Sequence, residues 1–267
     1  MFEKMNLLIG FAAIVPGLTI AFLIYKTDKF EKEQPFHLIV SFVLGMLMTI
    51  PAMYLEEYGT YFNWENSENL GLVFLFSTFV VGFSEEITKY VALTAYPYWQ
   101  KFFNEPMDGI IYATMIGMGF ATVENLLYAN SYGLETILVR AFTAVPAHGV
   151  FAIISGYYVG LAKFRPKRRA QYLVLGIVLP MLLHGIYDFF ILQNRFEWMM
   201  SFATLTLLFC GYWGWILIKK HQDNSPFNPS YPNVKEDIDF VKHSPINNVD
   251  GDDNDMMDAI LEDMDDD

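Results

Sequence analysis

Seven apolar runs, at about 5–25, 36–55, 70–96, 108–130, 138–162, 171–193 and 197–218, constrain the fold more than any other feature of the chain. A hydrocarbon core of about 30 Å takes about 20 helical residues to cross, and each run reaches or approaches that length. Lipid offers no partner to backbone N–H and C=O groups, so each run is predicted to be a helix that bonds within itself. The expected fold is all-α: a polytopic membrane protein of about seven transmembrane helices. The first run continues through Ile24 and Tyr25 with no small-residue cleavage site, which reads as a retained helix rather than a signal peptide.

Charge divides the chain. Of the formal net charge of −13, nearly all sits in residues 223–267, where 14 Asp/Glu face only Lys235 and Lys242. With Pro226, Pro229, Pro232 and Pro245 and the ending Glu262-Asp263-Met264-Asp265-Asp266-Asp267, this segment is too polar to bury a core. The expected organisation is a transmembrane domain over 1–220 and a disordered acidic tail over 221–267. The spacing Asp250, Asp252, Asn254 is not a calcium loop, because Asp255 replaces the turn glycine and Leu261 the closing glutamate. Cys210 is the only cysteine, which excludes an intramolecular disulfide and a thiolate cluster. Nothing points to nucleic acid.

Basic residues alternate between loops. Lys26, Lys29 and Lys32 follow the first run, Lys101 the third, Lys163 to Arg169 the fifth, and Lys219 and Lys220 the seventh, whereas loops 56–69 and 131–137 contain neither Lys nor Arg. The positive-inside bias then expects an N-terminus outside and a cytoplasmic C-terminus, with the acidic stretch 56–69 outside.

Against this apolar background a few ionisable residues stand out. Glu85, Glu86 and Lys89 interrupt the third run, Glu124 the fourth, His148 the fifth, and His184 and Asp188 the sixth. A charged side chain at the centre of a spanning helix costs about 2.5–3.5 kcal/mol on insertion scales. Residues four apart share a helix face, which pairs Glu85 with Lys89, Phe120 with Glu124 and His184 with Asp188. Each alone has a structural explanation: a self-neutralising Glu–Lys pair, an interhelical bond of Glu124, a satisfied core His148, a local His184–Asp188 pair. Four helices carrying such groups at compatible depth point instead to one polar site. Two carboxylates, two imidazoles and a lysine suit hydrolysis in two ways. A carboxylate in an apolar cavity can take a proton from water, and imidazoles with carboxylates can hold a divalent metal that activates water. The same groups could also build the proton relay of an ion-coupled transporter, or survive as the pocket of a non-catalytic binding protein. The halves show no internal repeat of the kind transporters often carry.

The set Glu85-Glu86-x-x-Lys89, Phe120-x-x-x-Glu124 and His184-x-x-x-Asp188 resembles the PrsW family of intramembrane proteases, as does the surrounding text Asp108-Gly109-Ile110-Ile111-Tyr112 and Gly119 to Tyr128, followed by Arg140, Pro146 and His148. The likeness covers about 70–195. It extends to the CAAX-processing endopeptidases, but Lys89 and Glu124 replace that group's arginine and histidine. The resemblance implies an intramembrane endopeptidase in the plasma membrane of a prokaryote, cutting a membrane-anchored protein near the outer side, with an anti-sigma factor as a substrate by analogy. It implies that Glu85 or Glu86 activates water, that Lys89 keeps one glutamate ionised, and that Asp188 orients or polarises. Glu124, His148, His184 and Asp188 are the implied candidates for a metal such as zinc. Arg140, at the outer edge of its run, has two readings, binding the rim of the carboxylate cluster or snorkelling to lipid headgroups, and snorkelling is the favoured one.

Overall fold

The structure, a computed structural model, describes residues 7–230. Among these, seven helical segments are long and apolar enough to cross a membrane, matching the seven runs of the sequence. The first two spans are α1 (Leu7–Thr27) and α2 (Pro35–Gly59). The third is interrupted: α3 (Leu70–Phe76) passes through a wider π turn at Ser77–Gly82 into α4 (Phe83–Ala95). The fourth is α5 (Pro106–Tyr132), and the fifth is divided into α6 (Leu134–Phe142) and α7 (Ala144–Phe164). The last two are α8 (Arg169–Leu192) and α9 (Met200–Asp223). The acidic tail beyond residue 230 lies outside the described residues.

The helix α5 is the centre of the bundle. Every residue from Met107 through Thr122 is buried, which explains why this span lacks a polar face. Its neighbours α1, α2, α4 and α7 pack around it. With lipid outside, the contacts rely on close packing rather than on expelled water, and small residues permit it. An added Cβ on Gly119 would come to 1.9 Å from the carbonyl oxygen of Phe42, and one on Gly156 to 2.2 Å from that of Gly109. The Gly156/Gly160 face therefore serves the bundle itself, packing on Gly109 and Pro106. At the outside of the bundle, Leu8, Phe11, Ile39, Leu208 and Phe209 are exposed, as lipid-facing side chains must be.

Three local breaks aim the polar residues. The π turn re-phases the third span just before Glu85; such insertions often mark functional positions. Its close partner is Gly185, where a Cβ would stand 2.5 Å from Thr78, so α8 lies directly on the turn with His184 beside it. Pro180, one turn before His184, has no N–H to bond the preceding turn and loosens α8 there. Pro146 sits in the first turn of α7, where its missing N–H is harmless, and the helix restarts after Thr143 two residues before His148's own turn begins.

Gly119→Val is expected to destabilise the bundle by about 1–3 kcal/mol, the usual cost of overpacking. Gly211→Val, where an added Cβ meets nothing within 4 Å, is expected to leave stability near wild type. Thermal unfolding of the two variants in nanodiscs compares them directly.

Candidate functional site

All seven residues singled out in the sequence converge on one buried cluster. Glu85, Glu86 and Lys89 come from α4, Glu124 from α5, His148 from α7, and His184 with Asp188 from α8. Lys89 is the hub. Its Nζ donates to Glu86 Oε1 at 2.6 Å and to Glu85 Oε2 at 3.3 Å, lies 3.2 Å from His148 Nδ1, and stands 4.5 Å from the centre of the Phe120 ring. The Phe120 to Glu124 face of α5 thus gives a cation platform one turn from its carboxylate.

The two histidines repeat one arrangement. His148 Nε2 meets Glu124 Oε2 at 2.7 Å while its Nδ1 faces Lys89 and, at 3.7 Å, Glu85. An ammonium can only donate, so Nδ1 is the acceptor and the ring proton sits on Nε2, toward Glu124. His184 has Asp188 Oδ2 at 3.2 Å from Nε2 and Glu86 Oε1 at 2.8 Å from Nδ1. Each imidazole therefore has one nitrogen on an outer carboxylate and the other turned toward the Glu85–Glu86 pair. The rings stand edge to face 5.4 Å apart, and Phe151 stacks on His184 at 5.0 Å. These contacts lock both ring planes.

Glu85 and Glu86 differ in how firmly they are held. Glu86 has two short partners, Lys89 and His184. Glu85 has only longer ones: Lys89 at 3.3 Å, His148 at 3.7 Å and His184 at 3.9 Å. Both carboxylates face the same set of partners, Lys89 and His184.

Donor atoms of Glu85, Glu86, His148 and His184 all lie within 4.8 Å of one another. Two carboxylates and two imidazoles are hard and borderline donors of the kind divalent metals take. Lys89 Nζ supplies positive charge beside them, and the donor chemistry of the two imidazoles and two carboxylates fits a divalent metal. Glu124 and Asp188 lie behind the imidazoles, in the position from which carboxylates orient metal-binding histidines.

Two residues join the site that sequence reasoning placed elsewhere. Arg140 does not snorkel: its guanidinium pairs with Glu124 Oε2 at 2.9 Å, its Nε donates to Asn125 Oδ1 at 2.8 Å, and its plane lies 3.8 Å over Tyr128. Arg140 stands in the last turn of α6, just before the break at Thr143. Glu56, read as part of an outer loop, belongs to α2 and lies near enough to the cluster to feel the charges of Glu85, Glu124, His184 and Asp188. The available signal was its spacing from Ala52 and Gly59, which puts it on the buried face of that helix.

A family profile described as PrsW family intramembrane metalloprotease matches residues 33–216. The chain is 36% identical to Protease PrsW of Bacillus subtilis over 198 residues, 72% of this chain and 88% of that one. It is 32% identical to Protease PrsW of Oceanobacillus iheyensis over 225 residues, 81% and 97% of the two chains. Against Protease PrsW of Clostridioides difficile the identity is 36% over 194 residues, 70% and 79%. No solved structure matches.

The Arg140–Glu124 pair predicts a specific asymmetry. Arg140→Gln removes the guanidinium from a mostly buried carboxylate and leaves it His148 alone, and is expected to cost about 2–4 kcal/mol, somewhat less than a fully buried pair would. Adding Glu124→Gln is expected to recover much of that loss. A double-mutant cycle on thermal stability in nanodiscs gives the coupling directly.

Proposed function

The chain belongs to the PrsW family of intramembrane metalloproteases, and from that premise we propose that Glu85 is the general base of its peptide-bond hydrolysis. The protein is an intramembrane endopeptidase of multi-pass, bacterial type. The assignment to Glu85 is carried by one observation: it is the carboxylate of the pair with the loose contacts. A base needs a lone pair free to receive a proton from water. Glu86, bound at 2.6 and 2.8 Å, has its acceptor oxygen engaged and acts as an anchor for Lys89 and His184. Lys89 holds negative charge in place within a medium that penalises it.

His148, His184 and Glu86 form a two-imidazole, one-carboxylate donor set of the type found in catalytic zinc sites, and we assign a metal such as zinc to them. When bound, such an ion lowers the pKa of water and polarises the scissile carbonyl. Glu124 and Asp188, expected from the resemblance as ligands, are here the groups that fix the two ring orientations. Arg140 and Asn125 in turn hold Glu124. In the reaction Glu85 takes the proton of the attacking water and returns it to the leaving amine. His148 and His184 keep their planes through Glu124, Asp188 and Phe151, so little reorganisation accompanies the step.

The substrate is a membrane-anchored protein that enters laterally from lipid. The alternation of basic loops supports an N-terminus outside, which puts the cluster on the outer side of mid-membrane and the cut near the outer face. An anti-sigma factor is a substrate consistent with that geometry. A transporter reading is not favoured by any contact in the cluster.

The test is cleavage of a membrane-anchored reporter by purified protein in liposomes. Glu85→Gln is expected to keep its thermal stability and bound metal while losing about 10²–10⁴-fold in turnover, the range general-base catalysis supplies. His184→Ala is expected to lose metal and cleavage together. If Glu85→Gln cleaved at the wild-type rate while Glu86→Gln, still folded, did not, the base assignment would pass to Glu86.

A further inference from the structure

A second acidic cluster lies at the other end of the bundle, where the α1–α2 loop meets the start of α5. Asp108 is 16 residues before Glu124 on the same helix, about 24 Å along its axis. Five carboxylates gather here: Asp28, Glu31 and Glu33 from the loop, with Glu105 and Asp108 at the head of α5. All but Glu31 are buried, Asp108 completely.

Some of their oxygens are accounted for. Asp108 Oδ2 caps α5, accepting from the backbone N–H of Asn104 at 2.7 Å and of Glu105 at 2.9 Å. Asn104 Nδ2 donates to Glu31 Oε1 at 3.1 Å, the Tyr112 hydroxyl donates to Glu33 Oε2, and the Ser225 hydroxyl donates to Glu105 Oε2. The remaining oxygens are not. Asp28 Oδ2 and Glu31 Oε2 are buried with no donor, and Asp108 Oδ1 and Glu33 Oε1 have no N–H or hydroxyl donor, the Glu33 and Asp108 carboxyl groups lying within hydrogen-bond reach of each other. The two nearby lysines are committed to main-chain oxygens: Lys32 Nζ to those of Tyr25 and Asp28, Lys163 Nζ to those of Tyr98 and Gln100. Among the described residues none of the five carboxylates has an ion pair.

Uncompensated buried carboxylate oxygens are costly, and one positive ion among them removes the cost for several at once. Donor atoms of Glu31, Glu105 and Asp108 lie within 4.8 Å of one another, close enough to share an ion. The donors are all oxygen, with no imidazole or thiolate, which selects a hard cation. We propose that Glu31, Glu105 and Asp108 bind a hard divalent cation of the Mg²⁺ or Ca²⁺ class, at a site separate from the proteolytic cluster. The ion clamps three parts of the chain: the α1–α2 loop, the head of the helix carrying Glu124, and, through Ser225 on Glu105, the segment after α9.

The site is tested on the full chain carrying Glu85→Gln, Glu86→Gln and Lys89→Met, which removes both carboxylates of the other donor group together with the ammonium they compensate. Mn²⁺ is the probe, its free fraction read by electron paramagnetic resonance. One saturable Mn²⁺ per chain, displaced by Mg²⁺ or Ca²⁺ and weakened at least tenfold by Glu31→Gln and by Glu105→Gln, is the expected result. Glu31→Gln leaves the α5 cap untouched, so it reports on the site even if variants at the cap fold poorly. Thermal stability in Ca²⁺ or Mg²⁺ should rise in the parent and not in Glu105→Gln. No saturable Mn²⁺, or binding indifferent to both substitutions as ions held by acids beyond residue 230 would be, overturns the proposal.

Discussion

One ammonium holds the interior of this protein together. Lys89 carries the charge that makes two adjacent glutamates of α4 tolerable inside a membrane, and it reaches α7 through His148. From there the contacts run outward in two branches, His148 to Glu124 to Arg140 and His184 to Asp188. Each member is compensated by the next, so the group is stable as a unit and costly to open at one point. Hydrolysis in a membrane needs such a unit. Polar groups must be concentrated where water is scarce, and each must be partnered while the substrate is absent.

The rest of the fold serves to bring these groups to one depth. A straight third span would present Glu85 and Glu86 on a different phase; the π turn corrects it, and Gly185 lets α8 lie against that turn. The central helix is buried along most of its length because glycines allow α2 and α7 to touch its backbone. It carries Asp108 at one end and Glu124 near the other, so the two polar clusters of the molecule share one rigid element.

The seven spans were legible because hydrocarbon imposes both length and composition, and the same penalty made Glu85, Glu86, Lys89, Glu124, His148, His184 and Asp188 conspicuous. The partners within the cluster were less so. Arg140 lies at the edge of an apolar run, where snorkelling explains an arginine equally well, and its contacts with Glu124 and Asn125 depend on how α6 packs against α5. Glu56 sits among other acidic residues that look like a solvated loop, although α2 continues through it to Gly59. The acidic cluster around Asp108 was hidden for a related reason. Its members come from one loop and a helix start, places where carboxylates are ordinary, and burial there depends on tertiary packing.

The central claim is that the Lys89-centred cluster cuts membrane proteins. Its most direct measurement is comparative profiling of protein N-termini in membranes of cells that carry either the wild-type chain or the Glu85→Gln/Glu86→Gln variant at equal levels. New termini adjacent to or within a membrane span of another protein, present only with the wild type, are the predicted result. Identical sets of termini across growth and stress conditions, with both proteins stably inserted, would contradict it.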